Sequence, residues 1–389
     1  LQVADRLGGA ASPAERLSLY ERRGQLLARL ADMGAALGDY EHMRDLAQAI
    51  GDKKAELRAL NQIGTLQAGR HDYIRAADYF NQALSLARTT GDQAGVADSL
   101  NRLGGFHFNT GQPEKAEACH REALEVARTL GDDLLLAASL DGLGQIDLLR
   151  GRVRASLDKY NQIAGLRRRL GDQAGLMEAL NALAAAYTWL GEYKRVTDAC
   201  EEALTFINKV GNLPALPSLC TYLAISYLNL GELGEAGDHL QAGLQVARRL
   251  DHIAMQAFSL SWLCYYYLVI GWFDAAQESV EEAVKLAQTL GSPLWEMRTR
   301  TGLGIAHLYR GEPDQAGQVL THVYDMACKL DFAPDRAVAL YELARANLAL
   351  DNLCVTGQLL EQLFNVADRC ELREYQVRGR WLQGRLALA

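Results

Sequence analysis

From Gly51 to Cys370 the chain repeats itself every forty residues, in eight copies that align without a gap. A period of this length restricts the fold to an array of stacked supersecondary units. Numbering the positions of each block from one to forty as slots makes the punctuation visible. Slots 1 and 2 read Gly-Asp at 51, 91, 131 and 171, then Gly-Asn at 211, Asp-His at 251, Gly-Ser at 291 and Asp-Phe at 331. Slot 21 is glycine at 111, 151, 191, 231, 271 and 311, which divides each block into two segments of about eighteen residues.

Both segments carry apolar residues at i, i+3, i+4 and i+7, and neither alternates in the manner of a strand, so each block is expected to be a helical hairpin. A glycine just past a helix end closes the last turn in the left-handed conformation, and a following Asp caps the next helix by accepting its free amides. Arg88, Arg128, Arg248, Lys329 and Arg369 fall in the last turn of the second helix, where cations complement the carbonyl end of the dipole; they read as structural charges. Slot 13 is aliphatic in every copy, from Ile63 and Leu103 to Leu343. Slot 14 is small throughout (Gly64, Gly104, Gly144, Ala184, Ala224, Cys264, Gly304, Ala344), which lets the paired helix approach. A single hairpin cannot bury its own apolar stripe; stacked hairpins can, and the array is expected to be an α-solenoid.

These residues resemble the tetratricopeptide repeats, whose 34-residue pattern runs W-x-x-L-G-x-x-Y…A-x-x-x-F…P. Slots 10, 13, 14 and 17 hold Leu180, Leu183, Ala184 and Tyr187 in the fourth copy, and slot 26 is Ala at 76, 116, 236, 276 and 316. Leu replaces the family's Trp at slot 10, His107 and His307 take slot 17 in two copies, and the blocks are six residues longer than the common unit. They are most similar to the long-helix variety of kinesin light chains, spindle-orientation adaptors and the sensor arms of signalling ATPases. The resemblance covers 51–370 and implies an all-α, right-handed α-solenoid of stacked antiparallel helix pairs, with binding as its function. Residues 1–50 are expected to be an irregular capping repeat, because the Gly-Asp pairs at 38 and 51 lie too close for a full hairpin, and 371–389 the first helix of a ninth, truncated repeat. "SPAE", with Ser12, Pro13 and Glu15, reads as a capping box.

Composition excludes several classes. The charge of -8 argues against the concentrated basic face that nucleic-acid binding needs. No run of 18 apolar residues and no signal segment occurs, so a cytoplasmic protein is expected. Seven scattered cysteines without Cys-x-x-Cys spacing fit buried thiols rather than disulfides or a zinc site. Gly142-x-Gly144 and Gly302-x-Gly304 lie inside helical patterns and merely fill slots 12 and 14. Cys119 and His120 are neighbours on a helix and point about 100° apart, so they cannot work as a nucleophile and its base. His107 and His307 read as core histidines. No catalytic residue, metal ligand or cofactor is expected, and any catalytic module would lie outside this stretch. The start at Leu1 and the apolar last stretch suggest an excised piece of a longer protein.

The expected business of the chain is to hold a protein or peptide segment. In the family it resembles, the first helices line the concave side, and slots 4, 8, 11, 15 and 18 form one stripe on that helix. Slot 11 holds Asn61, Asn101, Asp141, Asn181, Thr221, Ser261 and Thr301. Buried amides must find partners, at a cost of about 1–3 kcal/mol otherwise, so this polar ladder either bonds within the stack or faces solvent and reads peptide backbone. The long-helix relatives use asparagines at this point to hold extended peptides, which implies the same for Asn61, Asn101 and Asn181. Arg58 and Arg102 make the N-terminal groove polar, whereas Tyr222, Phe258, Trp262 and Tyr265 make the middle aromatic. Trp272 stands at a slot that is polar in the other copies, an interaction anchor. Pro214 and Pro217 predict that the first helix of the fifth block begins late, with loosened stacking near 212. The alternative is a ligand-sensing, autoinhibitory arm of a larger signalling ATPase, with a small effector as its ligand.

Overall fold

The computed structural model describes residues 12–29, 32–70, 72–210 and 213–388. These residues contain nineteen α-helices and no strand. The chain divides into two compact units, Leu1–Leu143 and Gly144–Ala389. In each, consecutive helices pair antiparallel across turns of mostly two or three residues, as the forty-residue punctuation predicts.

The first unit holds α1 (Pro13–Arg29), α2 (Met33–Ile50), α3 (Lys53–Gly69), α4 (Tyr73–Thr90), α5 (Gln93–Asn109), α6 (Pro113–Leu130) and the start of α7 (Asp133–Leu149). The second holds the end of α7, then α8 (Val153–Leu170), α9 (Gln173–Leu190), α10 (Tyr193–Val210), α11 (Leu216–Leu230), α12 (Leu233–Arg249), α13 (Ile253–Val269), α14 (Phe273–Leu290), α15 (Pro293–Tyr309), α16 (Pro313–Lys329), α17 (Ala333–Ala349), α18 (Leu353–Arg369) and α19 (Arg373–Leu386).

The turns follow the expected chemistry. Gly51, Gly91, Gly131 and Gly171 are left-handed, and Asp52, Asp92 and Asp172 accept from the amides of Ala55, Gly95 and Gly175. Where the block opens on Asp, at 251 and 331, that Asp takes the left-handed conformation itself, with φ of 50° and 54°. The helix is broken there by position in the repeat and not by glycine alone. Ser12 and Glu15 form the reciprocal capping box: the Ser12 amide donates to Glu15 Oε2 at 2.7 Å and the Glu15 amide to Ser12 Oγ at 3.3 Å.

Two expectations about the ends change. Residues 13–50 form a full helical hairpin rather than a shortened one. The Gly-Asp pair at 38 is not a boundary, because Asp39 is buried and takes a 2.7 Å hydrogen bond from Arg23 Nε. Asp32 is the real cap, accepting from the Ala35 amide. The late start at the fifth block is seen: a 3₁₀ turn covers Leu213–Ala215 and α11 begins only at Leu216. Residues 211–212, where loosened stacking was expected, lie outside the described residues.

Slot 14 meets slot 30 of the paired second helix. A side chain added at Gly64 would strike the Phe80 ring at 2.8 Å, and one at Gly104 the His120 ring at 2.6 Å. Where slot 14 is Ala224 the partner is Leu240, and where it is Ala184 the partner slot holds Cys200. Small-against-large alternation at this seam sets how close the two helices of each hairpin lie. Seven of the eight slot 13 residues are buried, Leu303 being half-buried. Of the cysteines, Cys200, Cys220, Cys264 and Cys370 are buried thiols as expected, whereas Cys328 and Cys354 are exposed and Cys119 is half-buried. Arg88 reaches Glu122 at 2.7 Å and Arg248 reaches Glu282 at 2.8 Å, ion pairs between successive second helices. Both pairs are about half exposed and add little stability.

Candidate functional site

First helices of the second unit surround a cavity of about 200 Å³. Its wall is largely aromatic. Tyr222 on α11 meets Phe258 on α13 edge-on with ring centroids 5.6 Å apart, and Phe258 meets Trp295 on α15 in the same way at 5.8 Å. Trp262 and Tyr265, one turn apart on α13, form a third such contact at 5.8 Å. Trp189, Tyr193 and Tyr375 complete the ring lining. Such edge-to-face contacts fix each ring against its neighbour, so the wall is built before any ligand arrives. Burial raises the phenols of Tyr222, Tyr265 and Tyr375 above the ordinary tyrosine range, which keeps the wall uncharged.

One side of the cavity is ionic. Arg298 Nε on α15 donates to Asp335 Oδ1 on α17 at 3.1 Å. Arg345 Nη1 donates to Glu342 at 2.6 Å, and Arg378 pairs with Glu374 one turn before it on α19. Burial works against the charged guanidinium of Arg298, but the charge and hydrogen bond of Asp335 outweigh it and hold the group protonated. Burial raises the carboxyl of Glu342, against the pull of Arg345 and Arg378.

Residues 95–169 match the family model for the tetratricopeptide repeat. That stretch is therefore similar to tetratricopeptide repeats. No curated protein sequence matches it. Among solved structures, the chain is similar to a Rap protein complexed with competence and sporulation factor, at 14% identity and a TM-score of 0.70, over 92% of this chain and 99% of that one. It is similar to aspartyl phosphate phosphatase F of Bacillus subtilis at 11% identity and TM-score 0.57, covering 91% and 94%. A signal transduction ATPase with numerous domains and a tetratricopeptide repeat sensor, from Pyrococcus horikoshii, gives 14% and 0.50, over 81% of this chain and 53% of that one. At such identities the likeness is one of fold.

Within these first helices, the cavity stripe runs mainly along slots 5, 8, 12, 15 and 19. Those slots hold, for example, Trp295, Phe258, Trp262, Tyr265 and Trp189. The expected stripe of slots 4, 8, 11, 15 and 18 shares slots 8 and 15 with it, and its other slots reach the wall at Glu374, at Ser261 and Thr301, and at Thr188 and Leu268. At 3.6 residues per turn the centre of these five cavity slots is rotated by roughly 60° from that of the expected stripe. The rotation decides which predicted residues meet. Tyr222, Phe258, Trp262 and Tyr265 all line the cavity.

The polar ladder of slot 11 does not, for the most part, reach it. Asn61 is fully buried, and its Nδ2 donates to Asp98 Oδ2 at 2.8 Å and Ser99 Oγ at 3.1 Å on the next first helix. Asn101 donates to Ser139 Oγ at 3.0 Å, and its Oδ1 lies 3.1 Å from His120 Nδ1. Thr221 repeats the rung with Ser259 at 3.0 Å. At Asn61, Asn101 and Thr221, slot 11 thus ties one repeat to slot 9 of the next, whereas Ser261 and Thr301 touch the cavity. Asn181 and Asp141 are half-buried outside its wall. Arg58 pairs with Glu21 at 3.0 Å, and Arg102 bonds Asp98 at 3.1 Å and Thr65 Oγ1 at 2.9 Å, so both brace neighbouring first helices. Trp272 stands outside the cavity, 61% exposed at the cap of α14, with its ring stacked on Tyr267 at 5.9 Å.

His107 and His307 are both half-buried, and burial lowers the His107 imidazole below its ordinary range. The strongest core histidine is one that slot counting passed over. His120 is 4% exposed between Gly104 and Gly142, and burial lowers its pKa to about 4. Sequence reasoning also missed Trp189, Trp295, Arg298, Tyr375 and Arg378. Arg298 occupies slot 8 of the expected stripe, which offered a signal; the contributions of α19 follow only from three-dimensional closure.

That closure is a clasp within the second unit. Gly151 packs on the Cβ and Sγ of Cys370, Arg154 pairs with Glu371, and Arg150 lies 3.4 Å from Asp331. Tyr193 OH donates to Glu374 Oε2 at 2.6 Å. The turn before α8 therefore meets the turns before α17 and α19, and α19 is held beside α10 as part of the cavity wall. Among the described residues no helix is long and apolar enough to cross a membrane, and no group of three His, Cys, Asp or Glu residues is placed to hold a metal ion.

Proposed function

We propose that this TPR chain is an interaction scaffold that holds a segment of a protein partner against the first helices of its second unit, with one group of the segment inserted in the aromatic cavity. The carrying observation is that successive first helices from α9 to α19 contribute rings or charges to one enclosed wall. Rings fixed edge-on in a partly enclosed site are what anchor residues at protein interfaces insert into. A cavity of about 200 Å³ suits one inserted group rather than a whole helix. A Rap protein of similar fold with a factor bound supports a ligand for this architecture. On this reading the partner is protein rather than nucleic acid, the surroundings are cytoplasmic, and the chain itself carries out no catalysis.

The test is capture of partners by the wild type beside a Trp262→Ala, Tyr265→Ala double variant whose helicity and melting temperature match the wild type. Equal capture by the folded double variant would sink the reading.

A second reading, a ligand-sensing arm, is favoured by Glu374, which belongs both to the cavity wall and to the clasp with Tyr193. An occupant that engages Glu374 or Arg378 would alter that clasp, as a sensor requires. The similar signalling ATPase with a tetratricopeptide repeat sensor supports it. Hydrogen exchange at 150–154 and 370–374, unchanged when the cavity is filled, would exclude it.

A further inference from the structure

We propose that the group the cavity receives is a carboxylate on an apolar body, gripped by the guanidinium of Arg298; this rests on the scaffold reading and gives the inserted group its chemistry. Arg298 is held at Nε. Its Nε donates to Asp335, which is only 7% exposed, while 27% of the Arg298 side chain is open and the residue lies in the cavity wall. Among the described residues no acceptor meets its Nη1 and Nη2 donors. An arginine fixed at Nε, with its terminal nitrogens open, is a fork that matches the two oxygens of a carboxylate.

The other charged groups of the wall are already engaged. Glu342 is 3% exposed and bonded to Arg345. Glu374 pairs with Arg378 and accepts from Tyr193. Arg378 also lies over the Tyr375 ring, 5.7 Å from its centroid, and over Tyr341 at 5.9 Å. Asp335 also lies in the wall, and its Oδ2 has no hydrogen-bond partner but is buried, so the accessible unfilled hydrogen-bonding capacity belongs to a cation. Coulomb energy falls with distance, so a ligand touching the Arg298 terminal nitrogens feels the guanidinium more than Asp335 at Nε, which attracts an anion and repels a cation. A neutral amide would satisfy one Nη donor where a carboxylate satisfies both. Phe258, Trp295, Tyr222 and Trp262 beside Arg298 supply the apolar surface for the body.

Two sources carry this chemistry: the chain terminus or an acidic side chain of a bound segment, and a free organic acid. The experiment uses the full chain and probes of one shape and three charges, benzoate, benzamide and benzamidinium, with N-acetyl-phenylalanine as the chain-like carboxylate. Calorimetry and tryptophan fluorescence read binding. Benzoate is expected to bind at least tenfold more tightly than benzamide, to weaken with added salt, and to outcompete benzamidinium entirely. Arg298→Lys keeps the charge and loses the fork, and should weaken benzoate about tenfold. Arg298→Met with Asp335→Leu removes the pair without stranding a buried charge, and should erase the preference for benzoate while circular dichroism stays helical. Tighter binding of N-acetyl-phenylalanine than benzoate assigns the group to a protein segment, and the reverse order to a free acid. Equal binding of benzoate and benzamide, preference for benzamidinium, or no binding by any probe overturns the proposal. If the probes fail while Trp262→Ala, Tyr265→Ala still abolishes partner capture, only this inference falls. If benzoate binds but capture ignores the cavity, only the scaffold reading falls.

Discussion

Nδ2 of Asn61 donates to Oγ of Ser99 at 3.1 Å, and the same rung returns between Asn101 and Ser139 at 3.0 Å. The ladder is a fastening between repeats. Asn61→Ala should therefore cost the first unit about 1–3 kcal/mol, the range for stranding a buried partner, because the buried Ser99 hydroxyl loses its donor while Asp98 keeps Arg102. Urea unfolding measures it. A variant as stable as the wild type would mean that the rung carries no load.

The buried His120 makes stability depend on pH. Its pKa is lowered to about 4 from an ordinary 6.5, so the folded state disfavours the proton that the unfolded chain accepts. The contribution is complete above pH 6.5 and is lost as pH falls from there towards 4. At about 1.4 kcal/mol for each pKa unit, the loss is about 3 kcal/mol at most. His120→Gln should flatten the profile over that window. A wild-type profile flat between pH 6.5 and 4 would refute the assignment.

At the clasp, Gly151 has a φ of 76° and its Cα faces Cys370, so Gly151→Ala meets both backbone strain and a collision. The variant should open the clasp and expose Cys370, which is 3% exposed. Its alkylation by iodoacetamide, followed by mass spectrometry, should rise at least tenfold, with the already exposed Cys328 and Cys354 as internal standards. An unchanged Cys370 rate would show that the clasp absorbs the methyl group.

The Arg298 and Asp335 pair can be weighed by a double-mutant cycle. Arg298→Met leaves a buried carboxylate unpaired and should cost roughly 2–3 kcal/mol, less than a fully buried pair because the arginine is partly open. Adding Asp335→Leu should recover most of that loss. Additive losses in urea would show that the two side chains are not coupled.

The repeat length, the hairpins, their capping residues and the seam of slots 13 and 14 were legible in the sequence. Each is a local or nearest-neighbour property: a left-handed residue stops a helix, an Asp starts the next, and a small residue lets its partner close, whatever lies further along the chain. The aromatic half of the cavity was legible for the same reason, since Tyr222, Phe258, Trp262 and Tyr265 lie on neighbouring first helices. The rotation of the functional stripe was not. Slots 11 and 12 are adjacent on a helix and differ only in whether they meet the next repeat or the cavity, and small changes in helix packing angle decide that. Nor could any local pattern announce that Tyr193 reaches Glu374, or that Gly151 rests on Cys370. Those contacts join residues some two hundred positions apart and depend on the summed angles of every hairpin between them, so tertiary structure alone brings α19 into the wall of the cavity.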